Sequence, residues 1–404
     1  MGNRESNATV LDTGTVPLPP ANSSIFSLSV SELYLACRAN KIDVVKQLLK
    51  TASLSDINRL EPEPICSTSL HVAAYYGHYE IVKLLLDKGA IRSLKNKHNL
   101  TPCEEAQTLE IKQLFKRTGG NNRFGGYSGS VEWNIIDPVA SKNVNKYKKK
   151  EEKWFKDVCI ADNRLYLSDI KRYLKTKLDY ISGMDIIKFF MDEAARQNDV
   201  TLVLKAYTAQ TGFYEALNRE LATLNTINYS SDDDQIRDEY FRYWHGPGGY
   251  AAMIAHHPKF KSYSFIGKTY RGMILLEEDI AQYKKKTLLI NKSFLSTSKE
   301  RENAKFFALQ DQLRQNSTGK LIKYPTLCTY IIRNSQTALD IEQISEYSDE
   351  KEVLITPRAA FQVVKLKKRE FKVGEIVVNI KLRECDTLIY DAADTSESSE
   401  DGGH

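Results

Sequence analysis

A pattern of apolar residues that recurs three times between residues 31 and 117 constrains the fold more than any other feature. Its middle copy, Ser69–Ala90, has apolar residues three and four positions apart, as one face of an α-helix requires. The first copy begins near Leu33, at an offset of 37 residues, and the third near Thr101, at an offset of 33. Because each copy can bury its apolar face only against a neighbour, the pattern predicts stacked pairs of helices.

The middle copy closely resembles an ankyrin repeat in its sequence, SLHVAAYYGHYEIVKLLLDKGA. Its small residues Ala73 and Ala74 allow the paired helices to pack closely. The resemblance implies an all-α ankyrin solenoid over residues 31–117 that binds a protein partner. We interpret His71 and His78 as hydrogen-bonding groups at helix ends and turns, not as metal ligands.

Composition and charge argue against several classes of protein. Hydrophobic residues make up 42% and charged residues 27% of the chain, which is ordinary for a globular domain. The net charge of +5 comes from interspersed basic and acidic residues, so we expect no nucleic-acid partner. The six cysteines show no Cys-x-x-Cys spacing, so we predict no metal site and expect reduced thiols in a cytoplasmic protein.

Three segments are predicted to lie outside the folded domains. Residues 1–30 read as a disordered lead-in, 118–150 as a linker and 386–404 as a disordered acidic tail. The start of the chain fits an N-myristoylation pattern, with Gly2 followed by Ser6. A single myristoyl chain on Gly2 would give only weak membrane contact.

Residues 151–385 are predicted to form one α+β domain, because helical patterns come first and strand patterns follow. We expect a break at His245–Gly249. The main predicted helices are Ile170–Leu174, Met184–Ala195, Phe213–Leu221 and Arg301–Leu313. The predicted strands are Phe265–Leu276, Leu288–Leu295, Leu327–Ile332, Glu352–Leu366 and Glu375–Leu382, and a short strand is expected near Trp133 and Ile135–Ile136.

Three stretches of this domain carry chemically useful residues: Tyr270–Gly272, Phe294–Ser298 and Glu350–Ile355. If the last stretch is extended, Glu350 and Glu352 point to one face, roughly 7 Å apart. In this order the three stretches resemble the arginine, Ser-Thr-Ser and Glu-x-Glu motifs of the R-S-E class of mono-ADP-ribosyltransferases. The resemblance implies a catalytic domain with a helical half and a two-sheet β core, and NAD as its substrate.

The side chains suit cleavage of NAD. A transition state that resembles an oxocarbenium ion is stabilised by a fixed carboxylate, and Glu352 is our candidate. The forked guanidinium of Arg271 suits the pyrophosphate, and Ser296 can hold the nicotinamide ribose and orient Glu352. The predicted NAD-binding set is Arg271, Gly272, Ser296, Thr297, Ser298 and Glu352, of which Thr297 and Ser298 also suit stabilisation of the turn.

The acceptor is predicted from Glu350. The resemblance implies that a glutamate at the first position of Glu-x-Glu goes with arginine as acceptor, and a carboxylate pairs bidentately with a guanidinium. Arg271, Ser296, Glu350 and Glu352 are therefore the candidate catalytic residues of an enzyme that transfers one ADP-ribose to arginine side chains of protein targets. Two alternatives stay open: an NAD glycohydrolase with water as acceptor, and an inactive ankyrin adaptor.

Overall fold

The computed structural model describes residues 30–117, 133–136, 152–153, 155, 163–224, 246–309, 323–370, 372 and 375–385. The lead-in with Gly2, the acidic tail and most of the predicted linker lie outside these ranges, as do residues 310–313 of a predicted helix. Contacts divide the chain into two compact units, Met1–Leu114 and Phe115–His404, which we call unit 1 and unit 2. Within the described residues, no helix is both long and apolar enough to cross a membrane.

The described part of unit 1 consists of short helices. They are α1 (Glu32–Arg38), α2 (Ile42–Leu48), α3 (Leu54–Ile57), α4 (Ser69–Tyr75), α5 (Tyr79–Asp87), α6 (Pro102–Glu105) and α7 (Leu109–Leu114). Helix α4 packs between α1 and α6, and α5 contacts α2 and α7. Buried Leu70, Ala73 and Leu85 show that the apolar face predicted from the sequence forms the interior of the stack.

His71 of the middle repeat is a helix-capping residue. Thr68 and His71 form a capping box, in which the His71 amide donates to the Thr68 hydroxyl and the Thr68 amide donates to His71 Nδ1. The other ring nitrogen, Nε2, lies 3.1 Å from the carbonyl oxygen of Leu100. This side chain therefore ties the middle repeat to the segment that precedes the third, as its interpretation as a hydrogen-bonding group requires.

Unit 2 begins with helices and continues with strands, which confirms the α+β prediction. Its helices are α8 (Asn163–Lys177), α9 (Met184–Gln197), α10 (Thr201–Thr208), α11 (Phe213–Leu224), α12 (Pro247–His256), α13 (Glu277–Ile280) and α14 (Arg301–Leu309). The expected break at His245–Gly249 is wrong from Pro247 onward, because helix α12 starts there. A proline at the first helical position loses no hydrogen bond, and the Tyr166 hydroxyl donates to the carbonyl of Gly249.

Nine strands of the described residues form one hydrogen-bonded sheet in the order β1-β3-β8-β9-β5-β2-β4-β7-β6. The strands are β1 (Trp133–Ile136), β2 (Gly267–Leu276), β3 (Leu288–Asn291), β4 (Leu295–Ser298), β5 (Lys323–Ile332), β6 (Ala338–Asp340), β7 (Glu352–Ile355), β8 (Ala360–Lys368) and β9 (Val378–Glu384). The expected two-sheet core is corrected, because the pair Tyr270–Ser298 joins β2 to β4 and makes the ladder continuous.

Two predicted strands are each divided in two by one side chain. The predicted strand Leu288–Leu295 ends at Asn291, whose amide nitrogen donates to the carbonyls of Ser293 and Thr356. The predicted strand Glu352–Leu366 is interrupted near Arg358, which has a left-handed φ of 63°. Asn291 fixes this second break as well, because its Oδ1 accepts the Ala359 amide at 2.6 Å. Strand β4 is thereby freed from β3 and pairs with β7.

Candidate active site

Strand β4 carries the Ser-Thr-Ser motif. It lies between β2, which carries Tyr270–Gly272, and β7, which begins at Glu352. Ser298 lies opposite Tyr270 of β2 on one side and opposite Glu352 of β7 on the other. Because side chains alternate along a strand, Ser296, Ser298 and Glu352 share one face of the β4–β7 pair. Ser296 is then the diagonal neighbour of Glu352, and its orienting role stays a prediction.

Arg271 is held against the backbone of the Ser-Thr-Ser motif. Arg271 is only 4% exposed, and its Nη1 donates to the carbonyl oxygen of Ser296 at 2.7 Å. A buried guanidinium is stable only when its N–H groups have partners, so this bond fixes the cation beside β4. The structure therefore brings the charge of Arg271 to the strand that faces Glu352.

The other two hydroxyls of the motif hold the strands together. Thr297 donates to the carbonyl of Val353 at 2.6 Å and accepts from the Thr269 hydroxyl at 2.7 Å. Ser298 donates to the carbonyl of Glu350 at 2.8 Å. Both residues have fully buried surfaces, so these bonds explain their presence without a ligand. Contact of either residue with NAD stays a prediction.

Gly272 is required by packing. A Cβ atom at this position would lie 2.8 Å from the Ala308 nitrogen and 3.0 Å from the Ala304 carbonyl carbon, both backbone atoms of helix α14. The absence of a side chain therefore lets α14 rest directly on β2. A role for Gly272 in NAD binding stays a prediction.

Glu350 and Glu352 do not lie on one extended segment, which corrects the geometry expected from the sequence. Ser348–Glu350 form a turn of 3₁₀-helix, and Lys351 adopts the left-handed conformation with φ 48° and ψ 50°. Only Glu352 belongs to β7. The Lys351 amide donates to the Ser348 carbonyl and closes the turn. The turn therefore carries the carboxylate of Glu350, whereas strand β7 carries that of Glu352.

Side chains around the turn fix the backbone of Glu350. Its carbonyl accepts from Ser298 and also from Asn303 Nδ2 at 3.2 Å. Next to it, the Lys299 amide donates to the Lys351 carbonyl at 3.0 Å. Both carboxylates are buried, Glu350 with 5% and Glu352 with 0% of its surface exposed. These hydrogen bonds thus fix the backbone that carries the Glu350 side chain.

The side chain of Glu350 is paired with an arginine that sequence reasoning missed. Arg117 Nε donates to Glu350 Oε1 at 2.8 Å and Nη2 donates to Oε2 at 3.2 Å. The two side chains are only 4% and 5% exposed. Both residues belong to unit 2, yet 233 positions separate them in the chain. No local pattern could have indicated this pair.

The surroundings of Arg117 favour a cation. Burial alone would lower the pKa of Arg117, but attraction to Glu350, with smaller contributions from Tyr347 and Glu352, raises it above its ordinary value. Burial and the nearby charge of Glu350 raise the pKa of Asp349. Among the described residues, no group of histidine, cysteine or acidic side chains could hold a metal ion.

Comparison with known proteins identifies the first unit. A family model described as ankyrin repeats in three copies matches residues 31–110. Oxysterol-binding protein-related protein 1 of Mus musculus is 37% identical over 87 residues, which are 21% of this chain and 9% of that protein. Alpha-latrocrustotoxin-Lt1a of Latrodectus tredecimguttatus is 32% identical over 103 residues, 26% of this chain and 7% of that protein. The chain therefore contains ankyrin repeats but spans less than a tenth of either relative.

Solved structures similar to the chain were also found. Vis toxin, an ADP-ribosyltransferase from Vibrio splendidus, is 16% identical with a TM-score of 0.31, covering 52% of this chain and 86% of its own. Exoenzyme S from Pseudomonas aeruginosa, solved with human 14-3-3 protein beta and Carba-NAD, is 17% identical with a TM-score of 0.32, covering 59% of this chain and 100% of its own. With TM-scores this low, the likeness carries no argument about what this chain does.

Proposed function

We propose that residues 151–385 form an NAD-dependent transferase that moves a single ADP-ribose to arginine side chains of protein targets. The observation that carries the proposal is the bidentate grip of the buried Glu350 carboxylate on a guanidinium. The turn that bears Glu350 is bonded to Ser298 and is separated from Glu352 by Lys351 alone. A site that already binds an arginine side chain therefore adjoins the carboxylate suited to NAD cleavage.

In the proposed reaction, the bond between C1 of the ribose and the nicotinamide nitrogen breaks, and its electron pair returns to the pyridine ring. The leaving group needs no acid, because nicotinamide is already cationic in NAD. Glu352 stabilises the positive charge that develops on the ribose, in a buried setting where such stabilisation is strong. Ser296 orients Glu352, and Arg271 supplies positive charge for the pyrophosphate.

The acceptor half of the reaction falls to Glu350. A guanidinium is a poor nucleophile while it is fully protonated, and a carboxylate can both hold it and take up the proton that it loses. The guanidinium nitrogen then forms a new bond to C1 of the ribose. We assign substrate positioning and proton acceptance to Glu350 and charge stabilisation to Glu352.

The ankyrin repeats of unit 1 would bind a protein partner through their stacked surface. We place the protein in the cytoplasm, where thiols stay reduced. This is in keeping with the free thiols among the described cysteines, which are Cys37, Cys66, Cys103, Cys328 and Cys385.

NAD glycohydrolase activity is the second candidate, and one observation favours it. With Arg117 on Glu350, an external arginine meets an occupied carboxylate, whereas water needs no such site. The donor residues serve both reactions, so the two activities differ only in what reaches the ribose.

The experiment that tests the proposal is incubation of the full chain with labelled NAD and agmatine, followed by separation of ADP-ribosyl-agmatine, free ADP-ribose and nicotinamide. A labelled agmatine adduct is the expected result. Free ADP-ribose alone would replace the proposal by the glycohydrolase, and intact NAD would leave the inactive ankyrin adaptor.

A further inference from the structure

The guanidinium of Arg117 is bound in the way an arginine substrate would be. The Glu350 carboxylate accepts hydrogen bonds from Nε and Nη2, the two nitrogens on one edge of the guanidinium. Nη1, on the other edge, is buried and has no hydrogen-bond partner among the described residues. The described residues therefore hold one edge of this guanidinium and leave the Nη1 edge without an acceptor.

Two further groups complete a guanidinium site. The Tyr347 ring lies 3.9 Å from Arg117 Cζ, within the range of a cation–π contact. The Tyr347 hydroxyl donates to Gln210 Oε1 at 2.6 Å, which fixes the ring. The carbonyl oxygen of Thr208, the last residue of α10, accepts from Arg117 Nη2 at 3.1 Å, and helix C-termini favour cations.

These contacts are specific for one chemical group. A flat cation satisfies the ring face, and two parallel N–H groups satisfy the carboxylate. A lysine ammonium is neither flat nor forked, so it would lose the second hydrogen bond to Glu350 and most of the stacking on Tyr347. The site is therefore suited to an arginine side chain or another N-substituted guanidinium.

We propose that Glu350, Tyr347 and the Thr208 carbonyl form the acceptor site and that Arg117 is its resident occupant, which an external arginine must displace. The assignment of this site to an acceptor rests on the proposed function. Displacement makes acceptor binding depend on the fraction of molecules in which Arg117 has left Glu350. The apparent association constant for an acceptor is the intrinsic constant multiplied by that fraction.

The test measures agmatine binding by titration calorimetry without NAD, on the full chain. Arg117→Ala is expected to bind agmatine about tenfold or more tightly than the unmodified protein, because the competent fraction rises toward one. Arg117→Lys keeps the charge but not the fork, so it should fall between the two. The matched control is Arg196→Ala, which removes an exposed arginine from a pair with Glu193 and should bind like the unmodified protein.

Removal of Arg117 leaves a buried carboxylate unpaired, so thermal unfolding of each variant is recorded first. If Arg117→Ala does not fold, Arg117→Lys decides the question, and agmatine affinity no higher than that of the unmodified protein then overturns the proposal. For folded Arg117→Ala, equal or weaker agmatine binding overturns it.

Turnover assays separate this inference from the proposed function. The KM for agmatine should fall about tenfold in Arg117→Ala while the KM for NAD stays within about twofold, since only the acceptor competes with Arg117. Tighter agmatine binding without any cleavage of NAD would support the acceptor site as a guanidinium site and contradict the transferase. Transfer to agmatine with an unchanged KM in the variant would support the transferase and contradict the role of Arg117.

Discussion

The middle ankyrin repeat and the Glu350 turn are both built around a buried side chain that makes several hydrogen bonds, but they draw on the chain differently. His71 caps its own helix through Thr68, three residues away. Glu350 meets Arg117 across 233 positions of sequence. Local contacts leave a readable pattern in the sequence, whereas the pair of Glu350 and Arg117 exists only after distant segments have packed together.

The two glutamates of the site show the same difference on a smaller scale. Glu352 is the first residue of strand β7 and lies opposite Ser298 of β4. Glu350 sits on a turn whose shape depends on left-handed Lys351 and on bonds from Ser298 and Asn303. The position of Glu352 is thus set by the sheet, and the position of Glu350 by a turn that is hydrogen-bonded to two other elements.

The largest effect is expected from Glu352→Gln, which should strongly reduce NAD cleavage and leave the ankyrin repeats folded. Loss of the charge that stabilises the ribose cation should reduce nicotinamide release from NAD about a hundredfold to a thousandfold. The measurement is nicotinamide release, with hydrogen exchange of helices α4 and α5 recorded alongside. The control Glu193→Gln, at a partly exposed position of helix α9, should keep full activity. If the Glu352→Gln variant keeps more than a tenth of the original rate of nicotinamide release, Glu352 does not stabilise the ribose cation.

The next effect concerns the stability of unit 2. Gly272→Ala places a methyl group against the backbone of helix α14, and overpacking of this kind should lower the free energy of unfolding by about 3 kcal/mol. Urea unfolding measures the change in the free energy of unfolding, and hydrogen exchange of β2 and β5 shows whether these strands are the ones that lose protection. At Gly212, an added Cβ would meet only the Ile181 side-chain methyl at 3.1 Å, which can move, so Gly212→Ala is the matched control. Equal losses in the two variants would contradict the packing role of Gly272.

A smaller effect, confined to the repeats, is expected from acid. Burial lowers the pKa of His71 from 6.5 to about 4, so the unfolded chain binds a proton at pH values where the folded repeat does not. Stability is fully present above about pH 6.5 and is lost as the pH falls toward 4, approaching about 3 kcal/mol. Hydrogen exchange of helices α4 and α5 between pH 7 and pH 4, corrected for the intrinsic exchange rate, measures the loss.

His71→Gln is the variant that sharpens the acid prediction, because glutamine can also complete a capping box but does not titrate. Its repeat should show little change in protection over the same pH range, while His98→Gln, at an exposed position, should behave like the unmodified protein. Persistence of the full acid loss in His71→Gln would assign it to another group.

Most of the helices and strands could be predicted from local patterns. The periodicity of Met184–Ala195 gave α9 almost to its ends, and the apolar run that ends at Leu276 gave β2. The ankyrin repeats followed from three offset copies of one pattern. These elements are set by which face of a helix or strand is apolar, and that information is carried by neighbouring residues.

The divided strands and the pair of Glu350 with Arg117 could not be predicted in this way. The breaks near Asn291 and Arg358 depend on a side-chain amide that bonds to Thr356 and Ala359, more than sixty residues away. The extended geometry expected for Glu350 fails because its turn is bonded to β4 and α14. Arg117 lies in a stretch predicted to belong to the repeats, so only the folded structure connects it with Glu350.

The most direct test of the account compares the products of the unmodified protein and of Glu350→Gln at saturating agmatine and labelled NAD. In the proposed reaction, Glu350 serves the acceptor and Glu352 serves the donor. The ratio of ADP-ribosyl-agmatine to free ADP-ribose should therefore fall at least about tenfold in Glu350→Gln, since a charge-assisted bidentate contact is lost, while hydrolysis of NAD continues. An unchanged ratio, or equal loss of both products in a folded variant, would contradict the division of roles between the two glutamates.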